Sequence, residues 1–258
     1  MTSKNTGARH NAGLAAAGAS LAGTALTALT AAPEKISSLV HRRYPTVAVT
    51  GMTGVGKTRL VDRLARRTSP DAVTEAGSAT MERRTSKSPR LKGFRFRVVP
   101  GDNAATRLAA LDEVFYEEPV DGIVHVVSYG HATPRRAGGT SGAAPSRTRD
   151  EQLAAELEDW TITAHRIAAM AVRRAKPMWV VIAVTKADLY PNDIDAAVDY
   201  YSPGSGSPFA AKLDELRSLA GGATISIDVL PVSAENSKEL DALVGKLESR
   251  MAALSGHL

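Results

Sequence analysis

Apolar and amphipathic segments alternate from about residue 45 to the end of the chain. Five short runs, rich in β-branched residues or alternating apolar with polar ones, have the length of strands. Segments with helical periodicity lie between them and after the last. The predicted strands cover residues 46–50, 94–99, 123–128, 179–184 and 225–231, and the predicted helices cover residues 57–67, 103–117, 151–175, 210–219 and 237–254. This alternation predicts an α/β domain with a mostly parallel central sheet and helices on both faces.

Two segments of this domain lack such periodicity. Residues 69–90 are polar and rich in Ser, Thr and Arg, and they predict a loop that leads into the strand at residue 94. Residues from about 130 to 150 are rich in Gly, Pro, Ser and Arg, which predicts a flexible surface insertion. His131 is expected to be a solvated residue of that insertion, with entry into a site at the end of the preceding strand as the alternative. His125 and His165 are interpreted as structural.

Residues 1–44 differ from the rest and are interpreted as an N-terminal tail, with the domain over residues 45–258. Residues 13–32 carry no charge, and their length matches a membrane span of about 20 residues. Ala, Gly and Thr dominate the run, so its hydrophobicity is marginal for insertion. Three interpretations stay open: a mobile or loosely helical tail, an attachment to a membrane or protein partner, and a secretion signal.

Composition excludes several kinds of site. The 258 residues include no cysteine, so disulfides, zinc–thiolate sites and thiolate nucleophiles are absent, which fits a cytoplasmic protein. The net charge is +5, and residues 83–97 and 135–149 are each rich in basic residues without an acid. No nucleic-acid-binding motif accompanies them, so we interpret them as a solvated strand edge and a loop, and nucleic acid is not an expected partner.

The segment from Gly51 to Thr58, Gly-Met-Thr-Gly-Val-Gly-Lys-Thr, matches the phosphate-binding (Walker A) pattern G-x-x-x-x-G-K-[ST]. It follows a predicted strand and opens a predicted helix, which is the context that this loop requires. Glycines allow successive backbone N–H groups to surround a phosphate, Lys57 would reach the β- and γ-phosphates, and Thr58 would hold Mg²⁺. The predicted phosphate-binding residues are Gly51, Thr53, Gly54, Val55, Gly56, Lys57, Thr58 and Arg59, with Lys57 also assigned a catalytic role.

Two further loops follow predicted strands. Thr185-Lys186-Ala187-Asp188 resembles the guanine-specifying motif [NT]-K-x-D of P-loop GTPases. Asp188 would accept hydrogen bonds from N1–H and N2–H₂ of guanine, and adenine offers neither donor. Ser233-Ala234 resembles the Ser-Ala-Lys loop of the same proteins, although Glu235 replaces the lysine.

Over about residues 45–255 the chain therefore resembles the translation-factor-related (TRAFAC) class of P-loop GTPases. The resemblance implies a three-layer P-loop NTPase fold and binding of GTP or GDP with Mg²⁺. It also implies that Thr185, Lys186, Asp188, Ser233 and Ala234 contact guanine.

The chain departs from the class after the strand at residue 94. The class has Asp-x-x-Gly, whereas this chain has Val98-Val99-Pro100-Gly101. By resemblance, the Gly101 N–H contacts the γ-phosphate and belongs to the catalytic residues. Val98 replaces the aspartate that orients a Mg²⁺-bound water, and Asp102 stands where some members carry a catalytic glutamine.

The expected activity is therefore slow GTP hydrolysis by a molecular switch, with an activating protein as a partner. Thr80 is the predicted second Mg²⁺ ligand, with Thr74 and Thr85 as alternatives. A GTP-dependent scaffold or membrane-associated switch with negligible turnover is the alternative function. An ATPase or P-loop kinase is disfavoured by Asp188 and by the lack of an acceptor-binding lid.

Overall fold

A computed structural model describes residues 44–66, 81–86, 93–101, 104–118, 120–134, 147–174, 176–235 and 237–256. A six-stranded sheet forms the centre of this part of the chain. The strands are β1 (Thr46–Thr50), β2 (Glu82–Ser86), β3 (Phe94–Val98), β4 (Gly122–Val127), β5 (Met178–Val184) and β6 (Ile225–Pro231). The strand order is β2-β3-β1-β4-β5-β6, and every pairing is parallel except that of β2 with β3.

The order of the strands decides where a ligand can bind. β1 lies between β3 and β4, so the strand order reverses at β1: β3 is added on one side of it, and β4 to β6 are added on the other. Ligands of open α/β sheets bind beyond the carboxyl ends of the strands at such a reversal point. The segment after β1, which carries the glycine-rich motif, therefore lies at the expected place.

Helices cover both faces of the sheet. They are α1 (Lys57–Leu64), α2 (Ala104–Asp112), α3 (Arg149–Arg174), α4 (Ile194–Tyr200), α5 (Pro208–Leu219) and α6 (Lys238–Leu254), with a π-helical turn at Glu113–Glu117 and a 3₁₀ turn at Ala187–Leu189. Alternate strand residues supply two apolar layers. Ile123 and Val180 belong to the layer that contains α2, α3 and α5, whereas Val124 and Val181 belong to the layer that contains α1 and α6. The predicted three-layer α/β architecture is confirmed.

The central strands are buried from both faces, because each face is covered by helices. All residues of β4 and β5 are buried, which explains why β5 is continuously apolar and why only His125 interrupts the apolar run of β4. Complete burial of a side chain such as Ile182 stabilises the fold by about 1.5–3 kcal/mol. The rigid core therefore fixes the loops at the carboxyl edge.

The structure corrects two sequence predictions. The predicted loop over residues 69–90 contains the strand β2 at its described residues, and the region between residues 190 and 201 contains helix α4, which was not predicted. In the described sheet β2 is an edge strand paired with β3, so its polar residues need no apolar alternation. The other predicted elements occur with ends that shift by a few residues; α1, for example, ends at Leu64.

The basic residues of the β2–β3 hairpin make ion pairs within the domain. Arg83 Nη2 lies 2.9 Å from Glu113 Oε1, and Arg84 Nη1 lies 2.8 Å from Asp62 Oδ1. The exposed Arg83 pair contributes little to stability, whereas Asp62 is buried beneath its partner. These contacts agree with the interpretation of this basic stretch as a strand edge.

The predicted tail over residues 1–44 lies outside the described residues apart from Tyr44, as does most of the insertion, and the domain boundary stays a prediction. None of the helices in the described part of the chain has the length and apolar character needed to cross a membrane.

Candidate nucleotide-binding site

The glycine-rich loop runs from the end of β1 to the start of α1, and its glycines are required by close contacts. A Cβ on Gly51 would lie 2.3 Å from the carbonyl oxygen of Val126 on β4. Gly51 also has a φ of +129°, and Gly56, which precedes the first turn of α1, has a φ of +97°. Side chains rarely tolerate such dihedrals, so this loop conformation depends on glycine. The start of α1 directs its backbone N–H groups toward the carboxyl edge of the sheet.

Lys57 is the first residue of α1 and is buried. Its Nζ donates hydrogen bonds to the carbonyl oxygens of Gly51, at 2.7 Å, and Met52, at 2.9 Å. The ammonium group is thus held over the loop rather than extended into solvent. Thr58 follows it and is half-buried, and Arg59 is exposed.

The structure brings Gly101 to this loop. A Cβ on Gly101 would lie 2.7 Å from Thr53 N and 2.8 Å from Lys57 Nζ, so only glycine allows the β3–α2 connection to approach so closely. The two predicted catalytic residues, Lys57 and Gly101, are therefore neighbours.

Val98 occupies the last position of β3 with only 2% of its surface exposed. Its side chain belongs to the apolar layer that also contains α1. The side chain presents no oxygen to a metal-bound water. Thr85 is an exposed residue of β2, and Thr74, Thr80 and Asp102 lie outside the described residues.

Thr185 and Lys186 attach the loop after β5 to the glycine-rich loop. Thr185 Oγ1 is buried and lies 2.6 Å from the carbonyl oxygen of Val55. Lys186 has a φ of +61°, and its Nζ donates to the carbonyl oxygens of Gly54, at 2.9 Å, and His131, at 2.6 Å. The lysine side chain therefore joins the loop after β5 to the glycine-rich loop.

Asp188 and Ser233 meet where the loops after β5 and β6 adjoin. Ser233 Oγ donates to Asp188 Oδ1 and accepts a hydrogen bond from Glu235 N at 3.1 Å. Ser233 is fully buried and Asp188 is half-buried, so one carboxylate oxygen is fixed by the protein. Ala234, the next residue after Ser233, is half-buried, and Glu235 pairs with Arg59 at 2.9 Å.

The structure also places His131 and Thr133 beside the glycine-rich loop. The sequence left entry of His131 into the site as an alternative and gave no role to Thr133. Thr133 N donates to Gly54 O at 3.0 Å, and its Oγ1 accepts from Lys186 Nζ at 2.7 Å. The His131 ring stacks on Tyr190 with centroids 5.1 Å apart, and partial burial lowers its pKa. His131 is half-buried rather than fully solvated. The signal available in the sequence was position, because this segment follows β4, the strand next to β1.

A group of buried polar residues lies behind the glycine-rich loop. His125 Nδ1 and Thr50 Oγ1 are 2.9 Å apart, and Arg107 of α2 pairs with Asp159 of α3 at 2.6 Å. Burial lowers the pKa of His125 to about 3 and raises the pKa of Asp159 to about 6. His125 is thus neutral at ordinary pH, which supports its interpretation as a structural residue.

The donor set suits a magnesium ion that is shared with phosphates. Thr58 offers a hydroxyl oxygen, which is the type of ligand that Mg²⁺ prefers. Among the described residues no group of three or more His, Cys, Asp or Glu side chains is placed to hold a metal. Mg²⁺ bound by phosphates commonly takes only one or two protein ligands.

Comparisons with known proteins give the fold. No family model matches the chain, and no curated protein matches it significantly. The structure of the mammalian SRP receptor aligns over 81% of this chain and 99% of its own, with 16% identity and a TM-score of 0.53.

Two prokaryotic structures align less well. A GTP-binding protein of Sulfolobus solfataricus in complex with GDP aligns over 90% of this chain, with 16% identity and a TM-score of 0.47. The alignment spans only 58% of that protein's length. The FeoB G-domain of Methanococcus jannaschii aligns over 83% of this chain and 98% of its own, with 15% identity and a TM-score of 0.44. From the sheet order, the glycine-rich loop and the alignment with the mammalian receptor chain, we conclude that this chain has the α/β fold of the P-loop NTPases.

Proposed function

We propose that the protein binds GTP and GDP with Mg²⁺, hydrolyses GTP slowly and acts as a molecular switch. The observation that carries this proposal is the connection made by Lys186, whose ammonium group reaches Gly54 O at 2.9 Å from the loop that also carries Asp188. One side chain thereby spans the distance between a phosphate-binding loop and a carboxylate suited to guanine. A site for phosphate alone would not need this connection.

The glycine-rich loop supplies the phosphate contacts in this proposal. Backbone N–H groups of the loop and the N-terminal end of α1 attract the phosphates, and Lys57 offsets the charge that develops during phosphoryl transfer. Thr58 holds Mg²⁺ when the ion is bound, and the ion neutralises phosphate charge. Gly101 lies beside Lys57, and by resemblance its N–H contacts the terminal phosphate once that phosphate is bound.

Asp188 supplies the preference for guanine. The hydrogen bond that Ser233 Oγ donates to Asp188 Oδ1 orients the carboxylate and leaves acceptor capacity for the N1–H and N2–H₂ groups of the base. Adenine lacks both donors and would leave a half-buried charge unpaired, which costs about 1–3 kcal/mol. The side chain of Lys186 forms one wall for the base.

The buried Val98 supports slow turnover. A valine in the apolar layer does not orient a metal-bound water, so the chain supplies less of the usual chemistry than the resemblance implies. We propose that an activating protein completes the site. The same observation favours a second candidate function, a GTP-dependent switch or scaffold without significant turnover.

Replacement of Asp188 by asparagine tests the assignment of the base site. Xanthine carries an acceptor at C2 where guanine carries a donor, so the Asp188→Asn amide suits xanthosine nucleotides. We expect GDP affinity to fall by at least about tenfold and xanthosine diphosphate affinity to rise, as measured by calorimetry. Asp195→Asn, which alters an exposed aspartate of α4, is the matched control and keeps the wild-type preference. An unchanged preference in Asp188→Asn would remove Asp188 from the base site.

Phosphate release separates the two candidate functions. Slow GTP-dependent release by the purified protein, accelerated by a cell extract, supports the GTPase. Release that never exceeds the buffer rate, with or without extract, supports the switch without turnover.

A further inference from the structure

The hydroxyl group of Thr53 has an unusual position in the glycine-rich loop. Its Oγ1 is buried and has no hydrogen-bond partner within the described part of the chain. Most buried hydroxyl groups are hydrogen-bonded, because an unsatisfied group destabilises the fold. A buried donor without a protein partner at a ligand-binding loop indicates that its partner belongs to the ligand.

Three polar groups converge on one point beside Gly101. The position of a Cβ on Gly101 lies 2.7 Å from Thr53 Oγ1, 2.7 Å from Thr53 N and 2.8 Å from Lys57 Nζ. These are ordinary hydrogen-bond lengths for a hydroxyl, a backbone amide and an ammonium group. An anionic oxygen at that point would be within reach of all three, and it would need Gly101 to move away.

We propose that Thr53 Oγ1 donates a hydrogen bond to an oxygen of the terminal phosphate of GTP, and that Gly101 retreats from Thr53 when this phosphate binds. The proposal rests on the proposed function and adds a group that distinguishes the triphosphate from the diphosphate. GDP has no terminal phosphate at this place, so Gly101 keeps its contact with the loop.

Two substitutions separate the hydroxyl from the shape of the side chain. Thr53→Val keeps the branched shape and removes the hydroxyl, whereas Thr53→Ser keeps the hydroxyl and removes the methyl group. The measurements are the affinities for GDP and for a non-hydrolysable GTP analogue, with Mg²⁺, by calorimetry on the full chain. We expect Thr53→Val to lower the affinity for the triphosphate analogue by at least about tenfold more than the affinity for GDP, as for the loss of a hydrogen bond to a charged group. Thr53→Ser keeps the wild-type ratio.

The stability of the nucleotide-free protein provides a second readout. Because the hydroxyl has no described partner, its removal relieves an unsatisfied buried group, and the Tm of Thr53→Val rises. A hydroxyl with a structural role would give a lower Tm. Thr161→Val is the matched control, because its Oγ1 donates to Leu157 O at 2.8 Å within α3. Thr161→Val leaves the affinities for GDP and for the GTP analogue unchanged, and therefore also the ratio of the two affinities.

Each result has one meaning. A Thr53→Val protein that binds the triphosphate analogue as tightly as wild type overturns the inference, as does a Thr53→Ser protein that loses as much affinity as Thr53→Val. In both cases the wild-type protein still binds nucleotides, so the proposed function stands. A wild-type protein that binds neither nucleotide overturns the proposed function and the inference together.

Discussion

Replacement of Lys186 by methionine tests the connection between the two loops. Methionine keeps a long apolar side chain and removes the ammonium group. Among the described residues, the hydrogen bonds lost are those to Gly54 O, His131 O and Thr133 Oγ1, at 2.9, 2.6 and 2.7 Å. We expect a modest loss of stability and a larger loss of nucleotide affinity.

The size of the stability effect follows from what each acceptor keeps. Gly54 O still accepts from Thr133 N at 3.0 Å, and the exposed Thr133 hydroxyl can bind water. The carbonyl oxygen of His131 is left to find a new partner. The cost is therefore close to that of one hydrogen bond from a charged group, about 1.5–3 kcal/mol, rather than three times that value. For a domain of this size the corresponding fall in Tm is about 3–12 °C.

The assay combines thermal unfolding of the nucleotide-free protein with calorimetric titration of GDP. Because the loops lose their shared anchor, we expect GDP affinity to fall by at least about tenfold. Lys176→Met, at an exposed lysine before β5, is the control and leaves both quantities unchanged. If Lys186→Met unfolded at the wild-type temperature and bound GDP with wild-type affinity, the argument that this lysine organises the site would be refuted.

Two further predictions concern the loop and the buried histidine. Gly54→Ala places a Cβ 2.2 Å from Thr133 O at a φ of +85°. Gly206→Ala is the control, because Gly206 has a φ of +83° but open space around it, so only backbone strain of about 1–2 kcal/mol is expected there. Urea unfolding should show a larger loss of unfolding free energy for Gly54→Ala, and equal losses would contradict the close contact. Folding lowers the pKa of His125 from 6.5 to about 3. As pH falls, His125 is therefore protonated in the unfolded chain before it is protonated in the folded protein, and wild-type stability decreases from pH 6.5 toward pH 3. His125→Asn lacks this loss and should gain about 3 kcal/mol on wild type between pH 6.5 and 4 by denaturant unfolding. Burial raises the pKa of Asp159 from 3.8 to about 6, which stabilises the folded state of wild type and of His125→Asn alike as pH falls from about 6 to 3.8. The difference between the two proteins therefore reports on His125, and parallel profiles of stability against pH would refute the His125 argument.

The sequence predicted most of the sheet because buried parallel strands leave a strong apolar pattern. β5 is a continuous apolar run, β4 is an apolar run interrupted only by His125, and both are interior strands of the sheet. β2 was missed because an edge strand of Glu, Arg, Arg, Thr and Ser carries no such pattern and is defined by its pairing with β3. Helix α4 has only seven residues, and a helix that short depends on tertiary contacts such as the burial of Ala197.

The site was predictable where a motif fixes the backbone and unpredictable where distant segments meet. Lys57, Thr185 and Asp188 each follow a predicted strand, and that order alone is enough to place them at one edge of a parallel sheet. The contacts of His131 and Thr133 with Gly54 and Lys186 depend on the path of the chain after β4. A segment rich in Gly, Pro and Ser leaves that path undetermined in the sequence.

The central claim is that one edge of this sheet binds a guanine nucleotide by its phosphates and its base. Calorimetric titration of the wild-type chain with GDP, GTP and ATP in the presence of Mg²⁺ tests it most directly. The account predicts saturable binding of GDP and GTP, with ATP unable to displace either. Absence of heat from both guanine nucleotides at about millimolar concentration, or equal affinity for ATP, would contradict it.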